Sequence, residues 1–280
     1  MLRIALLVLT AALAPTAHAQ EQVEFDSLDV AGGKPVRLIG YWLPAPDPKA
    51  SAPALVLLHG CGGPYERSGR LDQRMRSYAA LLNAQGAHAL VLDSLTPRGE
   101  KELCTQKVGT RQVTQANRRL DALAALAWLA KRTGVDPQRL GLLGWSNGGS
   151  TVLAAINTRH PAVAAASVKA AFAVAFYPGC EAELKRGFES RTPFLMLVGE
   201  ADDWTPAAPC HKLAGAAAGP TKPAIEGYAG AYHGFDSNAP VRVRKDVPNG
   251  VNAGQGVHVG GDPVAREASR QRLLQFLAQH

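Results

Sequence analysis

Two kinds of apolar pattern alternate along the chain. Residues 54–58 are a short, continuous apolar run, which is typical of a strand buried on both faces of a sheet, and residues 87–92 are a second strand, apolar apart from His88. Residues 117–132 instead repeat apolar side chains at helical spacing. The face predicted to be buried carries Leu120, Leu123, Ala124 and Ala127. Strands that alternate with helices predict an α/β fold, with a mostly parallel sheet covered by helices on both faces.

The remaining elements follow from the same patterns. Two strands, residues 23–28 and 36–43, form a hairpin at the sheet edge, with its turn at Gly32 and Gly33. Further strands are predicted at residues 54–58, 87–92, 140–143, 170–177, 193–198 and 224–228. Helices are predicted at residues 71–85 and 117–132, from Asn147 onward and from Pro263 onward. The sheet is thus expected to have eight strands or nearly so.

The strand at residues 140–143 runs into a turn rich in glycine. Gly144, Ser146 and Gly148 form the pattern Gly-x-Ser-x-Gly between a strand and a helix, which is typical of a nucleophile elbow. The turn is so tight that side chains at either glycine would collide with neighbouring backbone. We predict that Ser146 is a nucleophile, and the alternative is a structural serine in a glycine-rich turn.

Acidic and histidine side chains follow two later strands. The segment 199–206 contains Asp202 and Asp203, and His233 follows the strand at residues 224–228. The chain order serine, acid, histidine is that of the α/β-hydrolase triad, and the carboxyl ends of parallel strands meet at one sheet edge. His258 also follows the acids in sequence and is the rival of His233.

The strand at residues 54–58 ends in His59-Gly60-Cys61-Gly62-Gly63. Glycines there let the backbone approach a substrate closely and leave an N–H group free, as an oxyanion loop requires. We assign the two donors to the backbone N–H groups of Cys61 and Asn147. His59 is expected to hold the loop in shape, with a catalytic role as the alternative.

The other histidines have ordinary positions, and no set of side chains has metal-ligand spacing. His88 opens a strand, His160 ends a helix before a proline, and His211 lies after the acidic segment. We therefore predict no metal and no cofactor.

Composition and charge limit the possible partners. The chain has 280 residues, is 46% hydrophobic and carries a formal net charge of +7 at pH 7. That length and apolar content suffice for a full core. The positive charge is spread over many isolated Lys and Arg residues along the chain, so we expect no nucleic-acid partner.

The start of the chain has the pattern of a secretion signal, assigned to residues 1–19. Arg3 supplies the positive start, residues 4–13 the apolar core, and Ala17-His18-Ala19 the cleavage site. The apolar run is too short to span a bilayer, so we expect no stable membrane insertion after cleavage. Residues 20–280 are predicted to form a single domain that is periplasmic or secreted.

These motifs together resemble the dienelactone hydrolase family of the α/β-hydrolase superfamily. The matching segments are residues 59–63, 144–149, 199–206 and 232–235. The resemblance implies the α/β-hydrolase fold and ester-type chemistry, and its pattern favours Asp202 as the acid. Asp203 is then expected to be a capping or solvent-facing residue. The founding members carry a cysteine nucleophile and are cytoplasmic, whereas this chain has Ser146 and a signal peptide.

The topology of that fold also suggests how the four cysteines pair. In that fold, the strand that ends near Cys61 neighbours the strand whose exit loop carries Cys104, and the strands that lead to Cys180 and Cys210 are also neighbours. The predicted disulfides are therefore Cys61–Cys104 and Cys180–Cys210, with free buried thiols as the alternative. Arg98 is a candidate substrate contact, because the resembling enzymes bind a substrate carboxylate with arginines near that loop. Further candidates for substrate contacts are Trp145, Tyr177 and Trp204.

Residues 236–261 form a long segment with Gly and Pro but no periodic pattern. Because the segment follows His233, we expect it to cover the pocket. Arg242, Arg244 and Lys245 could meet an acidic substrate group there, and the alternative is that they are solvated charges.

The function predicted from these residues is that of a serine hydrolase, acting on small-molecule carboxylic esters or lactones through an acyl-enzyme. A non-catalytic binding protein of the same fold, or a peptidase, is the alternative.

Overall fold

The computed structural model describes residues 20–46 and 51–280. The predicted signal peptide, residues 1–19, lies outside the described residues. The main sheet consists of β1 (Glu21–Ala31), β2 (Lys34–Leu43), β3 (Ala52–Leu58), β4 (His88–Asp93), β5 (Val135–Trp145), β6 (Phe172–Phe176), β7 (Phe194–Gly199) and β8 (Ala224–Tyr228). Its order is β1-β2-β4-β3-β5-β6-β7-β8. The six strands β3 to β8 run parallel to one another. The β1–β2 hairpin lies at one edge, where β2 pairs antiparallel with both β1 and β4.

Helices cover both faces of this sheet. They are α1 (Gln73–Ala84), α2 (Gln115–Leu129), α3 (Asn147–Ile156), α4 (Pro161–Ala165), α5 (Glu181–Arg186), α6 (Ala207–Ala216) and α7 (Pro263–Leu277). One core cluster packs α2, α3 and α6 against the sheet, and the other packs α1 and α7 against the opposite face. The predicted fold class is confirmed: this is an α/β-hydrolase fold with an eight-stranded, mostly parallel sheet.

The structure differs from the sequence prediction in its shortest elements. The helices α4, α5 and α6 and a 3-10 turn at Thr96–Arg98 were not predicted. The segment 236–261 contains an antiparallel pair, β9 (Arg242–Arg244) and β10 (Val257–Val259), where a loop without regular structure was expected. Three residues are too few to produce a readable alternation of apolar and polar positions, so the pattern could not reveal these strands.

The buried face of α2 also differs from the prediction. Leu120 and Ala127 are only half-buried, whereas the side chains of Arg118 and Asp121 are fully buried. Asp121 accepts hydrogen bonds from Ser27 and Arg98, which provides partners for its buried carboxylate. A pattern based on hydrophobicity cannot anticipate charged side chains that face the core.

Both predicted disulfides are present. Cys61–Cys104 joins the loop after β3 to the loop after β4, with 5.0 Å between the Cα atoms. Cys180–Cys210 joins the start of α5 to α6, with 5.1 Å between the Cα atoms. Among residues 20–46 and 51–280, no helix has the length and apolar content needed to cross a bilayer.

We expect Cys180–Cys210 to stabilise the fold chiefly by restricting the unfolded chain. The bridge closes a segment of 30 residues, so the double variant Cys180→Ala/Cys210→Ala should lose about 3–4 kcal/mol of unfolding free energy. Urea denaturation followed by circular dichroism measures this loss, with the oxidised wild-type protein as control. An unchanged denaturation midpoint would contradict the expectation.

Candidate active site

The turn between β5 and α3 brings three backbone segments into contact. A Cβ atom on Gly144 would lie 2.3 Å from the carbonyl oxygen of Gly148, and one on Gly148 would lie 1.9 Å from the carbonyl oxygen of Leu58. Only glycine fits at either position. Ser146 between them has φ 53° and ψ −117°, a conformation that L residues rarely adopt. The structure therefore has the strained elbow geometry that the sequence pattern indicates.

Three of the side chains singled out in the sequence are connected by hydrogen bonds. The hydroxyl oxygen of Ser146 lies 2.9 Å from Nε2 of His233, and Nδ1 of the same histidine lies 2.8 Å from Oδ2 of Asp202. All three side chains are buried. They come from the ends of different strands, which meet at the carboxyl edge of the sheet.

The carboxylate of Asp202 is fixed by its own loop. Oδ1 accepts hydrogen bonds from the backbone N–H groups of Trp204 and Thr205, at 2.8 and 2.9 Å. The Thr205 hydroxyl lies 3.0 Å from Oδ2 of Asp202, from Nδ1 of His233 and from the carbonyl oxygen of Tyr177. Sequence reasoning missed Thr205, although a threonine three residues after the acid is a detectable signal for such a turn.

The imidazole of His233 packs against two aromatic rings. Its centroid is 4.7 Å from that of Tyr177 and 4.6 Å from that of Trp204. The backbone of the same residue is bridged to Val259 in β10, and its carbonyl oxygen accepts a hydrogen bond from Gly260 at 3.0 Å. The segment 236–261 therefore supports the histidine as well as bordering the site.

The loop after β3 lies beside the serine. A Cβ atom on Gly60 would lie 3.7 Å from Cβ of Ser146, and Cys61 borders the cavity above it. Within the part of the chain that the structure describes, neither the Cys61 N–H nor the Asn147 N–H donates to another protein group. Two N–H groups near the serine are thus available to bind an anion.

His59 has a structural environment. Its Nδ1 lies 2.7 Å from the carbonyl oxygen of Gly60, and the residue is buried. Burial, together with the positive charge of Arg118, holds the pKa of His59 well below its usual range. The neutral ring can donate Nδ1–H to Gly60 and so hold the loop in shape.

Asp203 and His258 form a second acid–histidine pair, which corrects the expectation that Asp203 caps a turn or faces solvent. Its carboxylate accepts hydrogen bonds from the backbone N–H of His258 at 2.8 Å and from Nδ1 at 2.7 Å. The histidine ring also stacks on Tyr232, with 4.7 Å between centroids. His258 is therefore bound to Asp203 and not to Ser146.

A cavity of about 420 Å³ lies above Ser146 and His233. The three predicted aromatic contacts, Trp145, Tyr177 and Trp204, all border it. The Trp145 ring is fully buried and packs against Tyr78 and Phe176. Trp204 is partly exposed and is thus the most accessible of the three aromatic side chains.

Arg98 does not border this cavity, so its assignment as a substrate contact is wrong. Its guanidinium forms salt bridges with Asp29 at 2.7 Å and with Asp121 at 2.8 Å, and it donates to the carbonyl oxygen of Ser94. Both Nη atoms of Arg98 thus already donate to protein oxygens and are not available to a substrate carboxylate. Their positions in β1, α2 and the loop after β4 could not be read from the spacing of Arg98 alone.

Three other arginines border the cavity: Arg74, Arg242 and Arg244. Arg74, which sequence reasoning missed, is paired with Asp236, and Arg244 is paired with Asp246. Arg242 forms no salt bridge with any of the described residues. Lys245 does not border the cavity. Asp72 also borders the cavity, so the charges around it are of both signs.

The described residues also contain no group of three or more His, Cys, Asp or Glu side chains placed to hold a metal ion.

Several solved structures share this fold. A thermophilic esterase from Thermogutta terrifontis is 19% identical with TM-score 0.59, covering 95% of this chain and 96% of its own. A dienelactone hydrolase-like promiscuous phosphotriesterase from metagenomic libraries is 19% identical with TM-score 0.63, and the match covers 93% of this chain and 98% of the phosphotriesterase. A dienelactone hydrolase from Anabaena variabilis is 18% identical with TM-score 0.59, and the match covers 92% of this chain and 98% of the Anabaena enzyme. At these identities, the likeness shows a common fold.

The family assignment comes from a separate comparison of the sequence. Residues 43–280 match the model of the dienelactone hydrolase family, and the match extends from the end of β2 to the last residue. It includes the elbow, both acid–histidine pairs and the loop after β3. The chain therefore belongs to the dienelactone hydrolase family and is a carboxylic ester hydrolase.

Proposed function

We propose that this protein hydrolyses carboxylic ester or lactone bonds through a catalytic triad of Ser146, His233 and Asp202. The observation that carries the proposal is the pair of hydrogen bonds, 2.9 and 2.8 Å long, that connects the serine hydroxyl through the imidazole to the carboxylate. A base within hydrogen-bond reach of a nucleophile, itself oriented by a third group, is the arrangement that activates a serine.

The proposed reaction has two halves. Nε2 of His233 takes the hydroxyl proton as Oγ of Ser146 attacks the ester carbonyl carbon, and a tetrahedral intermediate forms. The same imidazole returns that proton to the departing alkoxide, which leaves as an alcohol. An acyl-serine remains, and water attacks it with His233 again acting as base. The products are the free acid and the restored hydroxyl.

Two groups of the protein stabilise charge during this reaction. The carboxylate of Asp202 holds the imidazole in orientation and stabilises its protonated form, while remaining ionised itself. The N–H groups of Cys61 and Asn147 bind the oxyanion of the tetrahedral intermediate. The end of α3 that begins at Asn147 adds the positive end of a helix dipole.

The lining of the cavity supports esters that carry an acidic group as substrates. Arg242 and Arg244 extend from β9 at the cavity border, and Arg74 borders it from α1. Because Arg74 and Arg244 already have carboxylate partners, Arg242 is the arginine we assign to a substrate anion.

We also propose that residues 1–19 form a cleaved signal peptide and that residues 20–280 form one domain, periplasmic or secreted. Two disulfides support this location, because such bonds persist in oxidising compartments.

The two alternative functions make different demands on the site. A binding protein of this fold does not require the three side chains to be within hydrogen-bond reach, and here they are. A peptidase uses the same triad on an amide, so ester and p-nitroanilide substrates of one acyl group would distinguish it by their relative rates.

Replacing the proposed nucleophile is the direct test of the function. Ser146→Ala should abolish ester hydrolysis and labelling by a fluorophosphonate, because both require the serine oxygen to form a covalent bond. Ser237→Ala removes a different hydroxyl from the cavity border and is the matched control. Labelling that persists in Ser146→Ala would remove this serine from the mechanism.

The two neighbouring aspartates should differ sharply in their effect. Asp202→Asn should lower kcat by about 10⁴-fold, the size of effect seen when the acid of a serine triad becomes an amide. Asp203→Asn weakens only the partly exposed pair with His258, so kcat should fall less than about tenfold. Steady-state kinetics on both variants measures this, and equal losses would contradict the assignment of Asp202.

Selectivity for acidic esters can be tested at the cavity border. Arg242→Gln should lower kcat/KM about tenfold for an ester with a free carboxylate, the effect of losing one charge-assisted hydrogen bond. The neutral amide analogue of that ester should be unaffected. Lys245→Gln removes a charge nearby that does not border the cavity and serves as control. An equal loss on both substrates would refute the preference for an anion.

A further inference from the structure

Arg118 is a fully buried arginine beside the proposed oxyanion hole. It extends from α2, and its side chain reaches two segments that lie far from each other in sequence. Nη2 donates to the carbonyl oxygen of His59 at 2.8 Å, and Nη1 donates to Oδ1 of Asn147 in a short hydrogen bond. One guanidinium thus bridges the loop after β3 and the start of α3.

The environment of this guanidinium is unusual for a buried charge. Among residues 20–46 and 51–280, no carboxylate forms a salt bridge with Arg118, and its Nε has no partner. Burial lowers the pKa of Arg118 to about 10, with Asp121 and Asp93 acting in the opposite direction. The side chain is therefore still cationic at neutral pH. A buried charge that bonds only neutral oxygens is costly for stability, so general packing does not account for it.

Its two partners are the two supports of the oxyanion hole. The carbonyl of His59 lies in the loop that presents the Cys61 N–H, and Asn147 presents the second N–H from its own backbone. The distance between these N–H groups depends on how the loop sits against the elbow. The two segments approach closely without a side chain between them, since a Cβ on Gly148 would meet the carbonyl oxygens of Leu58 and His59.

We propose that Arg118 is a positioning residue for ester hydrolysis: its guanidinium fixes the spacing of the Cys61 and Asn147 N–H groups, and its charge favours an anion between them. This inference rests on the proposed function, because it assumes that those two groups bind the oxyanion. Arginine suits this task since its planar fork can reach two acceptors at once, whereas the ammonium of lysine is a single point charge. A methionine at this position would be of similar length but would have no hydrogen-bond donor, so it is a suitable replacement for a test.

The test compares two variants at this position with one at the next. Arg118→Met removes charge and donors, Arg118→Lys keeps the charge but loses the fork, and Arg119→Met changes a half-buried neighbour on α2 that has no bond to the site. For each, kcat and KM are measured on one ester, along with the Ki of a trifluoromethyl ketone. Such a ketone adds to the serine oxygen and leaves an oxyanion in the hole.

We expect Arg118→Met to lower kcat by about 10²-fold, the effect of disabling one oxyanion donor, with KM nearly unchanged. The Ki of the ketone for Arg118→Met should rise by a similar factor. For both kcat and the ketone Ki, Arg118→Lys should lie between Arg118→Met and the wild type, and Arg119→Met should match the wild type. A purely structural role would lower the amount of folded enzyme but leave the ketone Ki of the remaining active molecules unchanged, and that result would overturn the proposal.

The folding of the variants and the role of Ser146 are controlled separately. If Arg118→Met does not fold, Arg118→Lys decides alone: a raised ketone Ki supports the proposal and a wild-type Ki overturns it. Failure of the proposed function would show in other measurements, namely hydrolysis that persists in Ser146→Ala or a wild-type protein that forms no ketone adduct.

Discussion

The contact between the elbow and the end of β3 constrains the whole site. Gly148 approaches the carbonyl oxygen of Leu58 so closely that any side chain there would overlap it. The tight turn that permits this contact has Ser146 at positive φ, and the serine lies beside the loop that carries Cys61. The N–H of Ser146 donates to the carbonyl of Phe176 at 2.9 Å, so β6 helps to hold the strained residue.

The sequence made much of this arrangement predictable, because the relevant signals are local. A continuous apolar run identifies a buried strand, and the glycines around Ser146 identify the turn that follows. Parallel strands deliver their exit loops to one edge, so Asp202 and His233 could be expected near the serine without any measured distance. The cysteine pairing was implied by the strand order of the fold that the sequence resembles, and the structure contains both bonds.

The features that escaped prediction are polar contacts between residues distant in sequence. Arg98 was assigned to substrate from its loop, yet Asp29 and Asp121 bind it. Asp203 was expected at the surface, yet it binds His258, 55 positions away along the chain. Arg118 points into the core, where hydrophobic patterning expects apolar side chains. Each of these contacts depends on a partner that only the folded chain brings close. The residues next to each of these side chains in the sequence do not indicate which partner that is.

The segment 236–261 connects the border of the cavity to His233, the proposed acid–base group. Val259 in β10 bridges to His233, and the Asp203–His258 pair anchors the same strand. On its other side, Asn249 bonds the backbone of Gln106 and Val108, in the loop that also carries Cys104. The cavity border is thus attached to two fixed loops. Because β9 carries Arg242 at the cavity while β10 carries the contacts to the histidine, a substitution on β9 can alter which ester fits without displacing the imidazole.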